Sequence, residues 1–175
     1  MTKEVVAIRH ALKDMHSQEL SNEGRRMAVE FGQQAGSFDI AIAGPKYRAR
    51  ETAYLITGIK PQVDQRAGGN EICEDDAEKL RGQNHPLGVS GIIFESKEYH
   101  PTLEQSAHAF IELVRKTLEL LPEGGRALII SHDITLLAVE KILRNEPITN
   151  IQRRFGSLQG IKINEMLELE DYNIS

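Results

Sequence analysis

Short apolar runs separated by polar segments predict the strands of a buried sheet. The runs EVVAI at 4–8, FDIAIAG at 38–44 and RALII at 126–130 are rich in β-branched and aliphatic residues. The run PQVDQR at 61–66 predicts a weaker strand, and SLQGIKINEMLELE at 157–170 alternates loosely and predicts one or two more. Such short apolar runs are typical of strands that are covered on both faces of a sheet.

Helical periodicity fills the intervals between these strands. Ser21 is the expected N-cap of the first helix, and Gly36 is its expected end. The segment 101–121 has the strongest pattern, with leucine, valine, alanine and phenylalanine side chains on one face and Pro101 near its start. The predicted helices are 20–36, 46–57, 101–121 and 134–144.

The remaining segment, 67–100, shows no clear period and predicts an irregular excursion with one short helix near 74–81. Elsewhere strands alternate with helices, which predicts an α/β fold: a three-layer α/β/α sandwich with a mostly parallel central sheet. The length of 175 residues fits a single domain that spans 1–175. We expect the excursion 67–100 to cover the functional site of that domain.

Cation-capable side chains stand at the ends of the predicted strands. Arg9 and His10 follow the first strand, and Ser131 and His132 follow the fourth. Arg48 lies in the first turn of the helix that follows the second strand, and a helix N-terminus favours anions. Ligands of open α/β sheets bind outside the carboxyl ends of the strands. If the first and fourth strands are neighbours, the two imidazoles meet in one positive pocket.

This combination of side chains suits phosphoryl transfer. Guanidinium groups bind phosphate oxygens in pairs and keep their charge. A neutral imidazole is a nucleophile near neutral pH, and adjacent arginines favour the neutral form. A second histidine can donate to the phosphoryl oxygens, while a carboxylic acid must protonate the leaving group. Because the cationic and donor groups already neutralise the phosphoryl group, we expect no metal and no cofactor. These arguments do not decide which histidine attacks.

Composition narrows the expected partners and compartment. The formal net charge of -5 disfavours a nucleic acid or an anionic membrane surface as partner. Cys73 is the only cysteine, so no intrachain disulfide can form, and a cytoplasmic location is expected. No apolar run is long enough to cross a bilayer, and the run before Arg9 is too short for a signal peptide.

Four motifs, in order along the chain, resemble those of the histidine phosphatase superfamily, the phosphoglycerate-mutase-like proteins. They are AIRHA around His10, LSNEG at 20–24, GPKYRARETA at 44–53 and IISHD around His132. Each motif alone is weak, whereas the four together are specific and cover most of the chain outside the excursion. The resemblance implies a phosphoglycerate-mutase-like fold.

The resemblance also implies roles for the pocket residues. His10 would be the nucleophile that becomes phosphohistidine, and Arg48 would be the phosphate-binding arginine. Arg9 and His132 would hold and neutralise the phosphoryl group together with Arg48. The substrate would be a phosphorylated small molecule or a protein phosphohistidine, and the reaction would be hydrolysis.

The general acid is left with more than one candidate. The family places it after the third strand, where this chain reads RAGGNEICEDD, so Glu71 is the best match and Glu74 an alternative. In the acid-phosphatase branch the acid is an aspartate directly after the second histidine, and Asp133 stands there. The size and layout of the chain favour Glu71. Asp133 could instead cap the helix that begins at Ile134.

The chain departs from the family pattern around the first histidine. Ala11 stands where the family has glycine, and Leu12 and Lys13 replace a Glu-Thr pair. His16 occupies a position that is often an asparagine touching phosphate. We expect His16 and Ser131 to be substrate-binding residues. The departures keep two alternatives open: a phosphomutase of the same family, and a non-catalytic module that binds phosphate or a phosphoprotein.

Overall fold

Strands and helices alternate along the part of the chain that the structure describes. The computed structural model describes residues 2–68 and 79–174. The strands are β1 (Glu4–Arg9), β2 (Ile40–Ala43), β3 (Gln62–Val63), β4 (Arg126–Ser131), β5 (Gly160–Asn164) and β6 (Leu169–Tyr172). The helices are α1 (Asn22–Ala35), α2 (Tyr47–Thr57), α3 (Gly88–Glu95), α4 (His100–Leu120) and α5 (Asp133–Leu143), with short 3-10 helices at Gln65–Ala67 and Lys97–Tyr99.

The strands form one sheet in the order β3-β2-β4-β1-β5-β6. The pairs β3-β2, β2-β4 and β4-β1 are parallel, whereas β5 and β6 continue the sheet antiparallel. The mostly parallel sheet predicted from the alternation of strands and helices is therefore confirmed. The parallel strands are linked by helical crossovers, while β5 and β6 are joined by a short turn, which permits an antiparallel pair.

The register of β1 against β4 places the ends of the two strands that precede His10 and His132 side by side. Ile8 pairs with Ile130, and Arg9 pairs with Ser131. The strands are parallel, so the residues that follow each of them leave the sheet at the same edge. This confirms the expectation that the first and fourth predicted strands are neighbours.

The sheet is covered on both faces, as the uninterrupted apolar runs predict. Alternate residues of β1 and β4 point to opposite faces because side chains in a strand have a period of two. One set packs under α1 and α2, and it comprises Val6, Ile8, Leu128 and Ile130. The other set packs under α4 and α5, and it comprises Val5, Ala7, Ala127 and Ile129. None of the helices in the described residues is long and apolar enough to cross a membrane.

The predicted helix ends agree with the structure where a capping residue marks them. The Ser21 hydroxyl accepts a hydrogen bond from the backbone N–H of Gly24 at 2.9 Å and caps α1. Gly36 ends α1 with φ of 79°, and Gly58 ends α2 in the left-handed conformation with φ of 69°. Both conformations favour glycine.

Two local predictions differ from the structure. The sequence predicts an irregular segment around SGIIF, but α3 occupies this part and buries Ile93 and Phe94. Two helical turns are too short to show a period, and no side chain caps the start of α3, so the sequence carries no helix signal there. The third strand is limited to Gln62–Val63, which is exposed at the sheet edge. The short helix predicted near 74–81 lies largely outside the described residues.

The packing of α1 on α2 gives a testable prediction. A methyl group at Gly32 would collide with the backbone carbonyl oxygen of Ile56, which cannot move without shifting α2. We expect Gly32→Ala to lower the free energy of unfolding by about 1–3 kcal/mol, measured by urea unfolding, although alanine is the better helix former. Gly82→Ala is the control, since no atom lies within 4 Å of an added methyl there. A stabilised Gly32→Ala variant would contradict the close approach of the two helices.

Candidate active site

His10 lies directly after β1, with 5% of its surface exposed. Its Nδ1 is 2.7 Å from the carbonyl oxygen of Ala11, the next residue. A carbonyl oxygen can only accept, so Nδ1 must carry the proton and donate it to this bond. The lone pair of the neutral ring therefore resides on Nε2.

Arg48 faces the Nε2 atom of His10. Its Nε donates to Nε2 at 3.1 Å, which agrees with a lone pair at that position. Its Nη1 donates to Oε1 of Gln18 at 2.6 Å. The guanidinium thus fixes a donor next to the nucleophilic nitrogen of the ring. The first turn of α2 supplies Arg48, as the sequence predicts.

The second imidazole lies against the first. His132 follows β4 and is the N-cap residue of α5. The ring centroids of His10 and His132 are 5.3 Å apart with an angle of 67° between the ring planes. The convergence of two histidines that are far apart in sequence is therefore confirmed.

Two buried polar atoms beside this pair have no hydrogen-bond partner among residues 2–68 and 79–174: Nε2 of His132 and Oγ of Ser131. Buried polar atoms are normally paired, so an unpaired set marks a place for a ligand or water. Gly68 packs against the ring of His132. Its φ is +133°, and an added Cβ would lie 2.5 Å from Cδ2 of His132. Only glycine fits this close approach.

Burial keeps both rings neutral. Burial lowers the pKa of His10 to about 3; its hydrogen bond to Ala11 opposes this shift, and the charge of Arg48 adds to it. Burial also lowers the pKa of His132 well below 6.5, with smaller contributions from His10 and Arg48. The positive charge of the pocket therefore resides on the guanidinium groups, and the ring of His10 is unprotonated at neutral pH.

Thr52 ties the first histidine to α2. Its hydroxyl donates to the carbonyl oxygen of Arg48 at 2.7 Å and accepts from the backbone N–H of Ala11 at 3.1 Å. The side chain is fully buried. Thr52 belongs to the motif GPKYRARETA, but its residue type alone gives no sign of this role. The bond fixes the backbone N–H of Ala11, the residue whose carbonyl oxygen orients His10.

Arg9 is held by the segment that precedes β5. Its Nη1 donates to the carbonyl oxygen of Phe155 at 2.8 Å. Its backbone N–H donates to Gln159, and its carbonyl oxygen accepts from Leu158. Burial lowers the pKa of Arg9, and the carboxylate of Asp133 opposes that shift.

Asp133 is buried at the start of α5 and accepts three hydrogen bonds from distant parts of the chain. Oδ2 accepts from Arg154 Nε and from the Ser90 hydroxyl, both at 2.7 Å. Oδ1 accepts from the backbone N–H of Phe155 at 2.8 Å. Asp133 is the first residue of α5, whose N-cap is His132, so it does not cap the helix as the sequence allowed. Neither Ser90 nor Arg154 belongs to a motif, so sequence reasoning missed both.

Of the other predicted site residues, one is exposed on a loop and two lie outside the described residues. His16 is exposed on the loop before α1, where its backbone N–H donates to Oδ1 of Asp14. Gln18, from the same loop, is the residue that reaches Arg48. Glu71 and Glu74 lie outside the described residues.

A cleft of about 390 Å³ opens beside Arg48. Its lining combines an amide, a carboxylate, an ammonium, a phenol and a guanidinium: Gln18, Glu19, Lys46, Tyr47 and Arg48. Within 2–68 and 79–174, no group of three or more histidine, cysteine, aspartate or glutamate residues is arranged to hold a metal ion. Arg48 both lines this cleft and donates to His10, so it connects the cleft to the histidine pair.

Sequence comparison identifies the family. Residues 5–169 match the model of the histidine phosphatase superfamily (branch 1). This match covers nearly the whole chain, and the chain belongs to that superfamily. No curated protein matches the sequence.

Solved structures, among them two that are named as phosphatases, share the fold. Mycobacterial glucosyl-3-phosphoglycerate phosphatase, in complex with VO3, is 18% identical with a TM-score of 0.72, and the match covers 97% of this chain and 96% of that one. Bacillus stearothermophilus YhfR is 16% identical with a TM-score of 0.70, covering 92% and 90%. Entamoeba histolytica phosphoserine phosphatase, in complex with phosphoserine, is 19% identical with a TM-score of 0.64, covering 92% and 89%. At these identities the likeness concerns the fold.

Two buried neutral histidines make the stability of the fold depend on pH. Their pKa values lie below the ordinary value of 6.5, so the unfolded chain binds more protons as the pH falls below 6.5. Each histidine then lowers the free energy of unfolding by up to about 1.4 kcal/mol per pH unit. We expect His10→Gln to flatten this dependence between pH 7 and 5, measured by urea unfolding.

His108→Gln is the matched control for this pH series. His108 is exposed on α4. Its replacement is expected to leave the slope as in the wild type. Equal slopes for the wild type and His10→Gln would contradict a buried neutral imidazole at position 10.

Proposed function

We propose that this chain is a metal-independent phosphatase that hydrolyses a phosphomonoester or a protein phosphohistidine through a phosphohistidine at His10. One observation carries the proposal. The lone pair of a buried, neutral His10 is on Nε2, and a guanidinium donor of Arg48 lies 3.1 Å from that atom. An anionic phosphoryl group placed there meets a nucleophile and a positive charge together.

In the first step Nε2 of His10 attacks phosphorus, and the bond between phosphorus and the leaving oxygen breaks. The ring gains positive charge, which its Nδ1–H shares with the carbonyl oxygen of Ala11. Arg48 transfers its hydrogen bond from Nε2 to a phosphoryl oxygen. Arg9 supplies the second guanidinium at the same sheet edge. These contacts strengthen as charge spreads over the phosphoryl oxygens.

His132 completes the oxyanion site in this proposal. Its unpaired Nε2 and the unpaired hydroxyl of Ser131 are buried beside the nucleophile. As the tautomer protonated at Nε2, the His132 ring donates to a phosphoryl oxygen without carrying charge. The hydroxyl of Ser131 is available as a further donor.

A carboxylic acid protonates the leaving oxygen and then takes a proton from the water that attacks phosphohistidine, which releases phosphate. We assign this part to Glu71, as the resemblance favours. Gly68, three residues before Glu71, lies against the ring of His132, which supports the assignment. Asp133 already accepts three hydrogen bonds from other elements, which weighs against it.

The replacement of the family's glycine by Ala11 is compatible with activity. Ala11 contributes its backbone to the site: its carbonyl orients His10, and its N–H donates to Thr52. Alanine supplies both groups as well as glycine does. The proposal therefore favours an active enzyme over a non-catalytic module.

The cleft beside Arg48 favours a small phosphorylated molecule as substrate. Its volume of about 390 Å³ is that of a site for a small organic molecule. Two structural neighbours are named as phosphatases of glucosyl-3-phosphoglycerate and phosphoserine, which are small molecules. A protein phosphohistidine is the second candidate, and neither nucleic acid nor membrane is an expected partner.

The test is hydrolysis of p-nitrophenyl phosphate and of alkyl phosphates in the presence of EDTA. We expect turnover by the wild type and a loss of at least about 1,000-fold in His10→Ala, because the nucleophile is removed. An alkaline quench preserves the phosphoramidate, and peptide mass spectrometry should find it at His10. His108→Ala, on the exposed face of α4, is the control and should retain wild-type turnover.

Other outcomes would replace the proposal. Loss of turnover with EDTA would indicate a metal-dependent reaction. Return of labelled phosphate to the substrate, without release, would indicate a mutase. Phosphate binding without turnover of any substrate would indicate a binding module.

A further inference from the structure

The carboxylate of Asp133 joins three parts of the chain at the edge of the pocket. Ser90 belongs to α3, whereas Arg154 and Phe155 belong to the segment between α5 and β5. All three donate to it at 2.7–2.8 Å, and only 5% of Asp133 is exposed. Buried hydrogen bonds to an ionised group are among the strongest in proteins, so this junction fixes the position of the segment.

Phe155 connects this junction to the pocket through its backbone. Its N–H donates to Oδ1 of Asp133, and its carbonyl oxygen accepts from Nη1 of Arg9, both at 2.8 Å. The Phe155 side chain is buried, which leaves its backbone little freedom. Phe155 thus contacts Asp133 through its N–H and the Arg9 guanidinium through its carbonyl oxygen.

The charges of this region also depend on Asp133. The pKa of Arg9 is lowered by burial, raised by the carboxylate of Asp133 and lowered again by the cation of Arg154. Two guanidinium groups therefore share one buried carboxylate. Without that carboxylate the two cations would repel each other, and Arg9 would lose the charge that balances it.

A proton donor to the leaving group needs an oxygen that is free to face that group. Both oxygens of Asp133 accept from fixed donors, one of them a guanidinium. A proton on either oxygen would have to displace a fixed N–H donor or reverse the bond from the Ser90 hydroxyl, so it would not face a leaving group. The geometry is that of an acceptor for three donors, which orients its neighbours.

We propose that Asp133 is a positioning residue, which acts on the bound phosphoryl group through Phe155 and Arg9, and that it is not the general acid. The inference rests on the proposed function, because it concerns the same phosphoryl site. It leaves the proton transfer to a different carboxyl group.

The first experiment compares Asp133→Asn with the wild type on aryl and alkyl phosphates, and it measures orthovanadate binding by calorimetry. We expect kcat/KM to fall about 10- to 100-fold and equally for both substrate classes, with a similar loss of orthovanadate affinity. Aryl leaving groups need little protonation, so a proton donor would show a different pattern. Loss confined to alkyl phosphates, with orthovanadate affinity unchanged, would overturn the proposal.

A double-mutant cycle tests whether Asp133 acts through Arg9. Arg9→Lys keeps the charge but loses the forked geometry of the guanidinium. In the Arg9→Lys background we expect Asp133→Asn to change orthovanadate affinity by no more than about twofold, because the positioned group is already gone. Fully additive losses would overturn the proposal, since a general loss of structure acts independently of Arg9.

Two variants at the partners of Asp133 keep the test decisive if Asp133→Asn does not fold. Arg154→Gln removes the cation from Asp133 at a side chain that is 38% exposed, and we expect a loss of orthovanadate affinity. Ser90→Ala removes the bond to α3 without touching Phe155, and we expect affinity within about twofold of wild type. A loss in Ser90→Ala that equals that in Arg154→Gln would overturn the proposal.

The binding measurement separates this inference from the proposed function. A wild type that binds orthovanadate without turnover would remove the phosphatase proposal, while the binding cycle would still decide the role of Asp133. A wild type that does not bind orthovanadate would overturn both.

Discussion

The parallel ladder between β1 and β4 determines where both imidazoles lie. Arg9 pairs with Ser131, so the next residue of each strand, His10 and His132, leaves the sheet at the same edge. A slip of one residue in this register would turn the side chains of one strand to the opposite face. The pairing also buries the centre of both strands between two helical layers, which makes such a slip costly. The position of the site and the stability of the core therefore share one cause.

Burial at that edge sets the chemistry of the pocket. A protein with a formal net charge of -5 concentrates positive charge at one point by placing guanidinium groups around two neutral rings. The rings supply a lone pair and hydrogen-bond donors, and the arginines supply the charge. The ordinary pKa values of the two groups explain this difference, because burial easily neutralises an imidazole but rarely a guanidinium.

The sequence predicts those parts of the site that local signals encode. Strand ends place His10 and His132, and a helix start places Arg48, because apolar runs and caps are local features. The roles of Thr52 and Ser90 depend on contacts with residues about 40 positions away, between Thr52 and Ala11 and between Ser90 and Asp133. No periodicity or motif reports such contacts. Helix α3 was missed for a related reason: its burial against the rest of the fold stabilises it in the absence of any cap.

The hydrogen bond from Nδ1 of His10 to the carbonyl oxygen of Ala11 has a chemical consequence of its own. The acceptor is a backbone oxygen, so the ring keeps its tautomer whatever side chain occupies position 11. Small electrophiles that enter the pocket should therefore alkylate the ring at Nε2 alone. A single backbone hydrogen bond therefore determines which nitrogen of the His10 ring reacts.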